Sequence, residues 1–526
     1  MQNTEKWIET FIVPDPDIEQ LAITEDSYPL NMALHQEDPI RLEEYGYVEE
    51  EYLVSGFANV YAWKGTTGRP RIRSEHGPYC TRILVRKPAD RASFSGHVMV
   101  EMMHGGCRID NPSVGWGSAF EHIMASGDGY VGMSIAGSTF EALKTFDPGR
   151  YGALELKNPL PPGQRGPVGN MASSPDQWEH NKGGAMEDLA DQEKGLDMDI
   201  MSQVAAMIKR GRPGTPFAGY GAKYAYLIGV TFAEIPCYVS AVMPYSMLDG
   251  LRPVYDGAVI YMSGRAGNLN REEDILSWDD PRCKCGGMVP VVRIQTAGDM
   301  RGTLPHPLWA CMFRSENSDE PGNLGRCYEV AGTSLKYCAR GDVRTYPGSE
   351  ELKKAGVEQY HQKPNPLRGT RPEGMKVSIM PHFIAGVYRN LKDWAARGIP
   401  MPKAPYLEMT CGYPDADFVY DTHGNQRGGV RTHYVDVPAA AYLEDGTILP
   451  FCPEKMQALY GTREQWLEKT AERIRQMVEE RWILPEGGEA LLDEARQQAL
   501  SDEAWKPQPS DEAGQREYCD NEKRRE

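Results

Sequence analysis

Residues 224–242, YAYLIGVTFAEIPCYVSAV, run from one apolar stretch through a short break into a second. A buried strand, a tight turn and a helix have this pattern, and the turn at its centre carries the hydroxyl of Thr231. A hydroxyl held on such a turn can attack a carbonyl carbon, because the amino end of the following helix stabilises the developing negative charge. Gly229, two residues before the tip, lets strand and helix close on each other. Val230 and Phe232 flank the hydroxyl as candidate substrate-binding positions. A β-branched residue at the positive φ of a strained turn costs about 1–3 kcal/mol. Either the turn holds Thr231 as a nucleophile, or it relaxes and Thr231 packs against or caps the helix.

The tetrapeptide HGGC, residues 104–107, directly follows the apolar run HVMVEMM (97–103). A His-Gly-Gly turn after a strand presents backbone N–H groups to an oxyanion, so His104, Gly105 and Gly106 are the candidate oxyanion set; a plain tight turn is the alternative. Hydroxyl chemistry also needs a base. Of the 11 histidines, His306 and His382 each follow a strand-like run and are the first to test, while His423 and His433 flank a glycine-rich segment. Cys107, Cys237 and Cys338 lie near these positions, but a thiolate nucleophile requires a base at its side. Cys283 and Cys285 form a lone C-x-C with no second pair at zinc-site spacing. GPVGN and GGAMED fit neither phosphate-loop nor dinucleotide spacing, while HGNQRGGVR reads as a shaped loop with positive-φ glycines rather than a phosphate site, with Arg431 and Asp436 expected to buttress the pocket as an ion pair. No cofactor and no metal are expected.

The elements that must position these groups alternate. TRILVRK (81–87), HVMVEMM, YVGMSIA (130–136), YAYLIGV (224–230), GAVIYMS (257–263), VPVVRIQT (289–296) and GRCYEVAG (325–332) read as strands. GSAFEHIMAS (117–126) and the 3.6-periodic stretch 188–210 read as helices. Such alternation implies crossover connections, and so an α/β, mainly parallel, doubly wound sheet. Residues 1–55 are acidic and irregular and are expected to wrap the outside. Residues 144–184 are rich in Gly, Pro and Asn and are expected to form a lid, a binding loop or a surface loop. With no long linker visible, residues 1–500 are expected to form a single domain, followed by a charged tail over 501–526.

The chain has 526 residues, 40% of them hydrophobic, and a formal net charge of −18. That balance argues against nucleic acid or an anionic membrane surface as partner. No run of 18 apolar residues is present, so no membrane span is expected. The first residues show no basic segment leading into an apolar one, and the 11 cysteines are scattered. Reduced thiols in a cytoplasmic protein follow as the expectation. The partner expected is a small-molecule substrate, and a homo-oligomer is left open.

Several blocks resemble a family of large α/β-hydrolase-domain proteins taken to be esterases, nearly end to end. They include YGYVEEEYLVSGFANVYAW (45–63), FDPGRYGAL (146–154), VPVVRIQTAGDM (289–300), YEVAGTS (328–334), DTHGNQRGGVRTHYVDVPAA (421–440) and RWILPEGGEALLDEA (481–495). The resemblance implies an α/β-hydrolase fold with long insertions and a Ser–His–acid centre. Its acid position matches Asp299. Its elbow serine is replaced by Thr231 in Gly-Val-Thr-Phe-Ala, and its histidine by Leu335 in AGTSLKYCAR. A triad in its usual form is therefore not available. Three readings remain: an ester- or lactone-type acyl hydrolase with a rewired centre, a lyase or isomerase using a relocated acid or base, and a catalytically silent ligand-binding homologue.

Overall fold

The computed structural model describes residues 6–63, 68–105, 108–110, 115–135, 137–161, 193–230, 234–261, 282, 286–303, 314, 316–334, 345–358, 379–410 and 417–500. The apolar runs of the sequence become its strands. They are β1 (Asp17–Leu21), β2 (Tyr47–Ala62), β3 (Arg71–Pro88), β4 (His97–Met102), β5 (Gly129–Ser134), β6 (Tyr224–Val230), β7 (Gly257–Tyr261), β8 (Val291–Thr296) and β9 (Gly325–Val330). With the short strand Glu155–Leu156 they make a ten-stranded sheet, in the spatial order β9-β8-β7-β6-β4-β5-β3-β2-β1. Strands β4 to β9 pair in parallel, and β3, β2 and β1 extend the sheet antiparallel.

The helices that bear on the argument are α1 (Phe120–Ala125), α2 (Gly137–Phe146), α3 (Asp197–Arg210), α4 (Glu234–Ala241), α5 (Ala297–Thr303), α6 (Ile379–Arg397), α7 (His433–Asp436), α8 (Arg463–Glu479) and α9 (Pro485–Leu500). Two cores show why the central strands are apolar on both faces. Ala225 and Leu227 of β6 pack with α3 and α4 residues such as Ile200, Val204 and Tyr238. Tyr226, Ile228 and Val230 of the same strand pack with Ile379, Phe383 and Leu391 of α6. A parallel sheet covered on both faces is the doubly wound arrangement that the alternation implied.

Three expectations change. Residues 1–55 do not only wrap the outside, since β1 and most of β2 lie there, and β2 pairs with β3 from Tyr47 opposite Pro88 to Ala62 opposite Arg71. The acidic residues of β2 misled because Glu51 is fully buried, with its charge met by Arg82 on the neighbouring strand and Arg150 on the short helix Pro148–Tyr151. The irregular stretch from 144 starts later than its composition suggests. Asp147 caps a short helix, Pro148–Tyr151, by accepting from the Arg150 N–H at 3.0 Å, and Glu155–Leu156 pairs with Tyr79 and Cys80. Residues 162–184 and the tail 501–526 lie outside the described residues. Of the stretch 188–210, residues 188–192 lie outside the described residues, and the rest forms a 3₁₀ turn at Lys194–Leu196 containing Gly195, followed by α3 from Asp197.

Candidate functional site

Ligands of open α/β sheets bind beyond the carboxyl ends of the strands, where the strand order switches direction. Here the switch flanks β4, with β5 on one side and β6 on the other. The register places a level row across the sheet. Met133 of β5 stands opposite Met102 of β4, which stands opposite Gly229 of β6, then Ile260 of β7, Arg293 of β8 and Cys327 of β9. Beyond this row emerge the segments that carry the candidate groups.

Strand β6 ends at Val230 and α4 begins at Glu234, so a strand and a helix flank the expected turn. Thr231 and Phe232 lie outside the described residues. Gly229 does what its position suggested: a Cβ there would fall 2.2 Å from Cγ1 of Ile235 on α4. Val230 is buried, level with Tyr261. Pairing continues past β4 through the Met103 N–H to the Met133 carbonyl at 3.1 Å, after which come the half-buried His104 and the buried Gly105. Gly106 and Cys107 lie outside the described residues.

Asp299 sits in the first turn of α5, just past the carboxyl end of β8. One strand, β7, separates β8 from β6, a lateral step of about 10 Å at ordinary strand spacing. Asp299 and Thr296 bond reciprocally: the Thr296 N–H donates to Asp299 Oδ2 at 2.8 Å, and the Asp299 N–H donates to Thr296 Oγ1 at 3.0 Å. This capping box fixes the carboxylate at the helix start. Among the described residues its other oxygen, Oδ1, is buried without a hydrogen-bond partner. Burial therefore dominates and pushes the Asp299 pKa up to about 7, with the two Thr296 bonds opposing it.

The loop after β9 is tied to the same helix. The Gly298 N–H donates to the Thr333 carbonyl at 3.0 Å, and the Thr333 hydroxyl donates to the Val330 carbonyl at 2.6 Å. Leu335 lies just beyond, outside the described residues. The block 421–440 buttresses this loop. Val430 pairs in parallel with Val330, the Gly332 N–H donates to Gln426 Oε1 at 2.9 Å, and Val435 packs in one cluster with Ala297, Met300 and Ala331. Gly428 and Gly429 both have positive φ, the conformation expected of a shaped loop, and Arg431 bonds Asp436 at 2.5 Å as the pairing of those residues suggested.

The histidines separate. His306 lies outside the described residues. His382 is in the first turn of α6, its ring against Gly487 of α9, and burial lowers its pKa while Glu486 opposes. His433 is buried near it, its Nδ1 without a hydrogen-bond partner among the described residues, and desolvation, then Arg473 and His382, lower its pKa to about 3. Both imidazoles are therefore neutral at pH 7. Among the described contacts neither reaches Asp299 or the His104–Gly105 turn. His423 rests against Phe451. Cys237 is buried on α4, while Cys283, Cys285 and Cys338 lie outside the described residues. Among the described residues no three His, Cys, Asp or Glu side chains are grouped to hold a metal ion, and no helix is long and apolar enough to cross a membrane. A cleft of about 730 Å³ lined by His97, His122 and Lys392 opens at the amino ends of the strands, on the edge opposite Asp299.

Sequence reading did not find a buried charge cluster beneath the carboxyl edge. Arg82 of β3 donates to Glu51 of β2 at 2.6 Å and to Asp110 at 3.2 Å, and Arg150 bonds the other oxygen of Glu51. All four residues are buried. Burying such ions costs several kcal/mol each, and stripping one partner from a buried pair costs about 3–5 kcal/mol. The signal was in the sequence: Arg82 beside the apolar ILV of TRILVRK and Glu101 within HVMVEM are charges next to apolar strand residues, and buried charges require partners.

A mainly parallel, doubly wound sheet with an acid after β8, a strand–helix junction after β6 and a glycine turn after β4 defines an α/β-hydrolase-type protein. The chain belongs to the Alpha/beta hydrolase domain family, whose model matches residues 13–493. No curated protein matches it. Among solved structures it is similar to the esterase Est22, at 10% identity and a TM-score of 0.30, covering 61% of this chain and 83% of that one. It is also similar to the glucuronoyl esterase from Solibacter usitatus, at 10% identity and a TM-score of 0.27, covering 67% and 89%.

Proposed function

We propose that the protein hydrolyses an ester-type acyl bond of a small molecule through a rewired centre at the carboxyl edge of β4, β6 and β8. The observation that carries this reading is Asp299. Its carboxylate is fixed by Thr296 at the start of α5, tied through Gly298 to the loop where the family's histidine belongs, and left with one buried oxygen unbonded. In this reading the Thr231 hydroxyl oxygen bonds to the acyl carbon, and backbone N–H groups of the turn beginning at Gly105 receive the oxyanion. The alcohol departs with the proton taken from Thr231, and water then releases the acyl group. With Leu335 at the family's histidine position, the proton passes through a relocated imidazole. His306 and His382 are the candidates by chain position, and Asp299 Oδ1 is the free acceptor that would orient an imidazole N–H.

A second reading has a specific observation behind it. A carboxyl with a pKa near 7 carries protons well at neutral pH, so Asp299 could serve as the acid or base of a lyase or isomerase on the same scaffold. Kinetics of an activated aryl ester with purified variants separates the two. The hydrolase reading expects Thr231→Ala to abolish turnover. It expects Thr231→Ser to keep or raise turnover by relieving β-branch strain, and Thr231→Ser with Leu335→His to raise it further. Unchanged hydrolysis in Thr231→Ala would remove the hydroxyl nucleophile from the account. Tolerance of Thr231→Ala with loss of activity in Asp299→Asn would favour the second reading.

A further inference from the structure

We propose that Glu101 and Asp110 are positioning residues, Glu101 tying the returning end of the turn after β4 to its strand and Asp110 holding its middle, so that the backbone donor at Gly105 stays fixed for the reacting carbonyl. The inference rests on the reading that this turn receives the oxyanion. The first anchor lies on the near side. Glu101, the penultimate residue of β4, is fully buried, and its carboxylate accepts from the Gly115 N–H at 2.9 Å, the Trp116 N–H at 3.0 Å and the Tyr130 hydroxyl at 2.7 Å. The approach is close enough that a Cβ at position 115 would fall 2.3 Å from Glu101 Oε2. One side chain thus ties the segment returning from the turn to the strand that enters it.

The second anchor holds the middle. Asp110 Oδ2 accepts from Arg82 at 3.2 Å and from the Ser134 hydroxyl, while the Asp110 carbonyl accepts from Asn31 at 3.2 Å. Ser134 is the last residue of β5, opposite Arg82 in register, and also accepts from Arg82 Nε at 2.8 Å. Arg82 is held in turn by Glu51 and by the Leu30 carbonyl. Asp110 is therefore pinned to the rigid sheet at the level where His104 leaves it. Arg108, two residues before, has φ +65°, a left-handed conformation that a non-glycine residue keeps only where its surroundings impose it. Glycine by itself gives a backbone little conformational preference. Oxyanion stabilisation needs donors fixed before the charge appears, and a displacement of about 1 Å costs up to roughly a hundredfold in rate.

The test compares wild type with Asp110→Asn, Glu101→Gln and Ser134→Ala, the last removing a bridge without leaving an uncompensated charge. Two readouts are used: deuterium exchange of backbone amides, and kcat and KM for an activated aryl ester. The proposal expects faster exchange in peptides spanning 103–110 and 115–116, with β6 and β8 as protected as in wild type. It expects kcat to fall roughly tenfold to a hundredfold with KM within about twofold, the pattern of a lost transition-state interaction. Unchanged exchange in the turn overturns it, as does uniform acceleration across the sheet, which marks a purely structural role. An unchanged kcat beside a loosened turn overturns it too. If wild type shows no ester turnover, the hydrolase reading fails by itself and the exchange pattern alone decides whether the carboxylates hold the turn.

Discussion

At the scale of single residues, the proposed role of Asp299 comes with a measurable cost. Its pKa is raised by burial to about 7 from an unfolded value near 4. The native state thus binds this proton more tightly than the unfolded state, so stability falls as pH rises from about 4 to about 7 and stays low above that. Asn at this position has the same shape and no charge to desolvate. Asp299→Asn should therefore leave Tm nearly unchanged at pH 4.5 and raise it at pH 8, by an amount on the order of a few kcal/mol of stability. A melting series across that range checks the sign; a variant less stable than wild type at pH 8 would mean that the carboxylate is compensated in the fold. Asp299 was legible as the candidate acid from its family block. Its raised pKa was not, because that depends on an oxygen left unbonded by packing.

At the scale of elements, the junction of β6 and α4 is where local sequence and packing agree most closely. Gly229 is required because Ile235 occupies the space a side chain would take. Gly229→Ala is expected to destabilise by about 1–3 kcal/mol in urea unfolding, and pairing it with Ile235→Ala should recover part of that loss. Equal midpoints for wild type and Gly229→Ala would show that strand and helix are not in this contact. The strands were readable because both of their faces are buried, so that their apolar runs are nearly continuous. The first strands were missed for the same physical reason in reverse. Glu49, Glu50 and Glu51 look like solvated surface in the sequence, yet Arg86, Lys87 and Arg82 across β3 meet them one for one. Pairing between strands far apart in sequence is not written in either strand alone. The block 421–440 was recognisable as distinctive, but its task of supporting the loop after β9 emerges only when Val430 is seen beside Val330.

At the scale of the whole molecule, the sheet brings the ends of β4, β6 and β8 to one edge, with helices packed on both of its faces. The buried Glu51–Arg82–Asp110–Arg150 cluster lies under that edge and links strands β2 and β3 to the turn after β4. The central claim is that the hydroxyl at the end of β6 becomes acylated. Mass analysis of peptides after acid quenching of wild type with excess activated aryl ester tests it most directly. The account predicts an acyl adduct on the peptide containing Thr231, absent in Thr231→Ala. Steady release of the alcohol with no adduct there, or an adduct confined to another residue, would contradict it.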